Sequence, residues 1–150
     1  MTTDLPIESP TTATLVEEAG RKLGVRNIHT EADLARLVER GLRVRALDTL
    51  LRHGITQADL FRSVIPRRTL AHRRSRSEPL SSDESARAVR LARLTALAER
   101  VFGDPEKAQR WLRKPQDRLE GQAPIDALGN EVWARVVEDT LQQIDHGIFA

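Results

Sequence analysis

Residues 55–76 read ITQADLFRSVIPRRTLAHRRSR, and the punctuation of this stretch decides the fold. Thr56-Gln57-Ala58-Asp59 sets a capping hydroxyl three residues ahead of a carboxylate, which opens a helix running through Leu60 and Phe61 to about Ser63. Pro66 fits the first turn of a second helix, from Arg67 to about Arg74, which ends before the Ser75–Pro79 stretch. Two short helices on a tight connection make a helix-turn-helix. The second is basic: the span from Arg62 to Arg76 holds Arg62, Arg67, Arg68, Arg73, Arg74 and Arg76 with His72 and no acid. Thr69, His72, Arg73 and Arg76 follow i, i+3, i+4, i+7 spacing, which predicts one shared face, with Leu70 turned toward the preceding helix. Arg67 and Arg68, at the helix start, are placed to hold phosphates or reach bases. Arg forks match guanine edges and phosphate oxygens, so the pattern points to DNA. The face offers no Asn or Gln for adenine, so specificity would rest on Arg–guanine contacts or on DNA shape. From the residues alone, a solvated Arg-rich surface or a patch for an acidic protein face remain the alternatives.

Outward from this pair the pattern is helical in both directions. Residues 1–13 hold Pro6, Pro10 and several Thr without a period, and read as a flexible arm. Leu15, Ala19 and Leu23 then recur at i, i+4, i+8 and stop at Gly24. Thr30 and Asp33 repeat the cap pattern before Leu34, Leu37 and Val38, and Gly41 closes that helix. Val44, Leu47, Leu50 and Leu51 form the next stretch, closed by His53-Gly54, where an imidazolium would suit the carbonyl dipole. Downstream, Ser81-Ser82-Asp83-Glu84 starts the longest pattern, about 83–102, broken by Gly103. Asp104-Pro105 leads into Ala108, Trp111 and Leu112; 113–124 reads as a connector; a last helix covers about 130–145. The expected organisation is therefore a 1–13 arm, a 14–80 helix-turn-helix region and an 81–150 second region.

Composition agrees with an all-α fold. Aromatic residues are 3% and Tyr is absent, whereas Leu, Ala, Arg and Glu suit helices. There is no Cys, which excludes disulfides, thiol nucleophiles and thiolate metal sites. No apolar run is long enough to span a membrane and no signal-peptide pattern opens the chain, so a cytoplasmic protein away from membranes is expected. None of the four His has a ligand partner at metal-site spacing, and no nucleophile–base set or phosphate loop stands out. The chain is expected to be no enzyme and to need no cofactor or metal.

Charge is partitioned. Residues 1–41 carry 5 basic and 7 acidic groups, 42–79 carry 9 and 3, and 80–150 carry 10 and 12. A basic block between mildly acidic ones suggests one region for a polyanion and another for a different partner. The second region holds both Trp and ends on Ile148-Phe149 after Gly147. A large apolar tip either anchors in a partner or folds back onto Trp133 or Trp111.

Val64-Ile65-Pro66-Arg67-Arg68-Thr69-Leu70, Arg110-Trp111-Leu112, and Val136-Val137-Glu138 through Ile144-Asp145-His146-Gly147-Ile148-Phe149-Ala150 together resemble the Xre/MbcA/ParS antitoxin family over roughly residues 20–150. The connector follows that family's pattern loosely, through Gly121, Pro124 and Leu128. The resemblance implies an Xre-like helix-turn-helix followed by a toxin-binding region, in a homodimer that represses its own promoter DNA. It implies as partner a RES-domain toxin, similar to ADP-ribosyltransferases, that degrades NAD+. The DNA-binding candidates are Arg67, Arg68, Thr69, His72, Arg73 and Arg76. The toxin-binding candidates are Trp111, Trp133, Ile144, Asp145, His146, Gly147, Ile148, Phe149 and Ala150. The last residues are expected to cover the toxin's active-site entrance. A stand-alone transcription regulator and an adaptor with a protein-binding Arg patch are the rival readings.

Overall fold

Caps written in the sequence set most of the helix starts. In the computed structural model, which describes residues 10–147, every regular element is helical. The order is α1 (Pro10–Lys22), α2 (Glu31–Arg40), α3 (Arg45–Arg52), α4 (Gln57–Ser63), α5 (Arg67–Arg76), α6 (Ser82–Phe102), α7 (Pro105–Leu112), a 3-10 turn (Asp117–Leu119), α8 (Pro124–Ala127) and α9 (Glu131–Asp145). All three hydroxyl–carboxylate patterns close as reciprocal capping boxes. Asp33, Asp59 and Glu84 donate their backbone N–H to Thr30, Thr56 and Ser81 at 3.1, 3.2 and 3.1 Å. Their carboxylates accept the cap N–H in return at 3.0, 2.8 and 2.8 Å. The backbone N–H groups of His29 and Thr30 hold the Asp33 carboxyl down at about 2.

Some element ends differ from expectation. α1 starts at Pro10, earlier than the period near Thr14 suggests, and the first nine residues of the expected arm lie outside the described residues. Pro66 is the N-cap residue of α5, one place before its first turn. α5 continues to Arg76 because the turn comes at Ser77, left-handed at φ 51°. The Ser77 and Glu78 N–H groups donate back to the Arg74 and Arg73 carbonyls at 3.3 and 3.0 Å. The connector contains the 3-10 turn and then α8, whose four residues are too few to show a period. His53 does cap α3, but its pKa is lowered: desolvation of the ring comes first, then the Lys22 ammonium, so the expected imidazolium is disfavoured.

The axis of the molecule is α6. From Glu84 to Phe102 every residue is buried or half-buried, as in a helix surrounded by neighbours, with Ala88, Leu91, Ala92, Ala96 and Ala98 fully buried. The small side chains let α1, α2, α4, α7 and α9 pack against it. One hydrophobic cluster runs from Val16 on α1 to Leu141 on α9 and includes residues from both halves of the chain. The buried Lys22 ammonium reaches Glu99 on α6 at 2.8 Å and ties α1 to the axis.

Candidate nucleic-acid and partner interfaces

The basic helix α5 is attached to the body by one apolar side chain and two ion pairs. Leu70 is 7% exposed and faces the core. Arg73 donates from Nε to Glu84 Oε1 at 3.2 Å and from Nη1 to Glu78 Oε2 at 3.1 Å. Arg74 Nη2 donates to Asp48 Oδ1 on α3 at 2.7 Å. Glu84 thus serves both the α6 cap and the α5 clamp. Burial pushes its carboxyl up, but the Ser81 N–H and the Arg73 guanidinium outweigh this and leave it below the usual range.

This clamp sorts the predicted DNA face. Arg68, His72 and Arg76 point outward and are exposed, together with Ala71 and Ser75. Thr69 and Arg73 are half-buried on the inner side. The single face expected of Thr69, His72, Arg73 and Arg76 is therefore split. Spacing predicted a shared face, but the nearby Glu84 and Glu78 carboxylates draw Arg73 inward. Arg67 is exposed at the helix start, with its guanidinium 4.9 Å from the centroid of the Phe61 ring on α4. The outward face offers donor groups to a polyanion on a helix held to the body through Leu70, Arg73 and Arg74.

The second region is bolted to α4, the other helix of the pair. Arg113, just after α7, donates from Nη2 and Nη1 to Asp59 Oδ2 and Oδ1 at 2.8 and 3.1 Å, and to the Gly54 carbonyl at 3.1 Å. Ser63 Oγ donates to the Ile125 carbonyl at 2.9 Å, and Arg62 pairs with Asp126 at 3.0 Å. From α6, Arg87 and Arg90 donate to the Val64 and Leu128 carbonyls at 2.9 and 3.0 Å. These partners are 23 to 64 residues apart in sequence, so no local pattern announces them.

The partner-binding candidates are spread over this region. Trp111 on α7 is half-buried against Phe102, ring centroids 5.7 Å apart at 40°. Trp133, in the first turn of α9, lines a hollow of about 420 Å³ with Phe61, Pro66 and Asn130, next to the helix-turn-helix. Ile144 is half-buried and Asp145, His146 and Gly147 are exposed at the other end of α9, about 18 Å from Trp133 at 1.5 Å rise per residue. The structure brings Ile144, Asp145, His146 and Gly147 together but not Trp133. Ile148, Phe149 and Ala150 lie outside the described residues, and so does the question of their fold-back. Two features had no signal in the sequence. Arg118 of the 3-10 turn donates to Gln143 Oε1 at 2.8 Å and steadies the last turns of α9. Val132 is 71% exposed on α9, the one large exposed apolar side chain among the described residues.

The fold defines a helix-turn-helix protein carrying a second helical region. Residues 33–93 match the model of the antitoxin Xre-like helix-turn-helix domain. Residues 97–147 match that of the antitoxin Xre/MbcA/ParS C-terminal toxin-binding domain. A protein named antitoxin Xre from Pseudomonas putida is 35% identical over 125 residues, covering 83% of this chain and 79% of its own. Another antitoxin Xre, from Yersinia enterocolitica, is 30% identical over 144 residues, 94% of this chain and 97% of its own. A Prs ADP-ribosylating antitoxin from a Sphingobium species is 34% identical over 91 residues, 55% and 57% of the two chains. The chain belongs to the Xre/MbcA/ParS antitoxin family, with a helix-turn-helix for DNA and a C-terminal domain for a toxin. The two matched segments meet inside α6, which serves both. No helix among the described residues is long and apolar enough to cross a membrane, and no group of three or more His, Asp or Glu there is placed to hold a metal.

Proposed function

We propose that this protein neutralises a RES-domain toxin that degrades NAD+, and represses its own operon, as a cytoplasmic homodimer that acts by binding and carries out no reaction of its own. The RES identity and the dimer come from the family resemblance. The observation that carries the DNA half is the outward set Arg68, His72 and Arg76 on a helix held by Leu70 and two ion pairs. In this proposal Arg67 holds phosphate at the helix start, while Thr69 and Arg73 position the helix.

The toxin half uses Trp111, Trp133 and the run Ile144 to Ala150. The Asp145 side chain pairs with basic groups of the toxin that otherwise hold NAD+ phosphates. The test follows NAD+ loss by the toxin encoded next to this gene, with full-length protein and with the chain cut after His146. Full-length protein stops the loss and the truncated chain does not, while helical content is unchanged. Full inhibition by the truncated chain overturns the C-terminal plug. No effect of either form overturns the RES partner.

The Sphingobium relative favours a second reading, in which the toxin transfers ADP-ribose to a protein. Both toxins consume NAD+, so the product separates them: free ADP-ribose for hydrolysis, a labelled protein for transfer.

A further inference from the structure

Beside the helix-turn-helix lies a basin of about 1000 Å³ between the α1–α2 turn, the α2–α3 turn and α3. Arg26, Arg40, Arg43, Arg45 and Arg52 line it, all exposed. None of the five pairs with a carboxylate among the described residues; Arg52 donates only to Thr49 Oγ1, at 3.1 Å. The basin's one acid, Asp48, is already held by Arg74. Gathered like charges without counter-charge repel one another and disfavour the compact chain. A polyanion removes that repulsion.

The walls are built to hold these arginines in place. Gly41 sits at φ +83°, and a Cβ there would stand 2.5 Å from the Leu80 carbonyl oxygen. Leu80 donates to the Leu42 carbonyl at 2.8 Å, and Leu42 donates to Ser85 Oγ at 2.9 Å, so the turn bearing Arg40 and Arg43 is tied to α6. The leucines of the basin, Leu23, Leu37 and Leu42, are no more than 6% exposed, which leaves half-buried Val25 and exposed Pro79 as its accessible apolar side chains, set apart among the five arginines. A protein partner needs an apolar centre to fill, whereas a phosphate backbone needs only charge and donors. A smaller hollow of about 560 Å³ shares Arg43, Arg45 and Asp48 and runs on to Arg73 and Arg74 of α5. Its two acids, Asp48 and Glu78, are taken by those same two arginines. The basin thus opens toward the C-terminal end of α5, with Arg43 and Arg45 as the arginines of this hollow that have no carboxylate partner.

We propose that this basin is a second phosphate-binding surface for duplex DNA, gripping the backbone of sequence that flanks the contact of α5. The proposal rests on the DNA reading above and extends its footprint. It predicts a contact that adds affinity and salt dependence without sequence preference, because phosphates carry no base information.

The test uses full-length protein, a duplex of about 40 base pairs from upstream of its gene and a scrambled duplex of equal length. Affinity is measured as a function of salt for wild type, for R40A/R43A/R45A, and for a charge-matched control, K107A/R110A/K114A, on and just after α7 and outside the basin lining. The basin variant is expected to weaken binding to both duplexes by the same factor, about tenfold or more near physiological salt. Its salt slope should fall by about 0.9 for each phosphate that the variant no longer neutralises. The control changes neither quantity by a comparable amount. R40K/R43K/R45K retains most of the slope. The substituted side chains are exposed and make no ion pair, and an unchanged circular dichroism melt checks the fold. Equal losses in basin variant and control overturn the proposal, as do an unaltered slope or a loss of toxin binding with DNA binding intact. Failure of the wild type to bind either duplex defeats the DNA reading itself.

Discussion

Asp59 is 4% exposed, and its charge is kept there by two different partners. Burial pushes its carboxyl up; the Arg113 guanidinium and the Thr56 backbone N–H pull it down, and the net is below the usual range. Removing the guanidinium with Arg113→Ala strands a carboxylate at the seam between α4 and the second region. The loss should be about 2 kcal/mol in urea unfolding, under the range for fully enclosed pairs because the Arg113 side chain still meets solvent. Glu84 is lowered in the same way. For both groups the unfolded chain takes up protons first as acid is added. Their contribution is complete above about pH 5 and is lost as pH falls through about 4 toward the folded values. Thermal melts from pH 7 to pH 3 should show this loss, and Asp59→Asn should flatten the acid limb; an unchanged acid limb would rule out the linkage. Of this pair only the Thr56–Asp59 cap is local in sequence. Arg113 stands 54 residues away, and no spacing rule reaches that far.

At the scale of the helices, α5 and α6 make separable predictions. The outward Arg68 touches no acid in the structure, so Arg68→Ala should leave the melting temperature unchanged. Operator binding should fall by about 1–3 kcal/mol if Arg68 forks onto a guanine. Arg73→Ala should instead lower both melting temperature and DNA affinity, since it frees the inner side of α5 and leaves buried Glu84 short of a partner. Equal melting temperatures for the two variants would contradict this division. α6 begins at the Ser81 box and bears on five other helices, so Ser81→Ala should cost the whole fold about 1 kcal/mol. A melt lowered by about 2–4 °C is expected for a chain of this size. The existence of these helices was legible because caps and left-handed glycines act within four residues. α8 was not legible, since four residues between Ala123 and Leu128 show no period; its place is set by Ser63 and by the buried side chain of Ile125.

Across the whole molecule, one core and one continuous helix join the DNA region to the toxin region. Two such regions unfold together if the shared core is what stabilises both. Trp111 and Trp133 both lie in the second region, while most of the short helices lie in the first. Tryptophan fluorescence and far-ultraviolet circular dichroism should therefore trace one coincident urea transition. A fluorescence midpoint displaced from the dichroism midpoint would mean that the regions fold separately.

By itself the sequence determined the helical class, most helix ends, the family and the existence of a basic helix, because caps, periodicity and composition are short-range properties carried by neighbouring residues. The tertiary structure alone decided which arginines are free. Arg73 and Arg74 are paired with Glu84, Glu78 and Asp48, whereas Arg40, Arg43 and Arg45 have no carboxylate partner among the described residues. A guanidinium's availability depends on which carboxylates the packing brings within about 4 Å, and the Asp48–Arg74 contact spans 26 residues of chain.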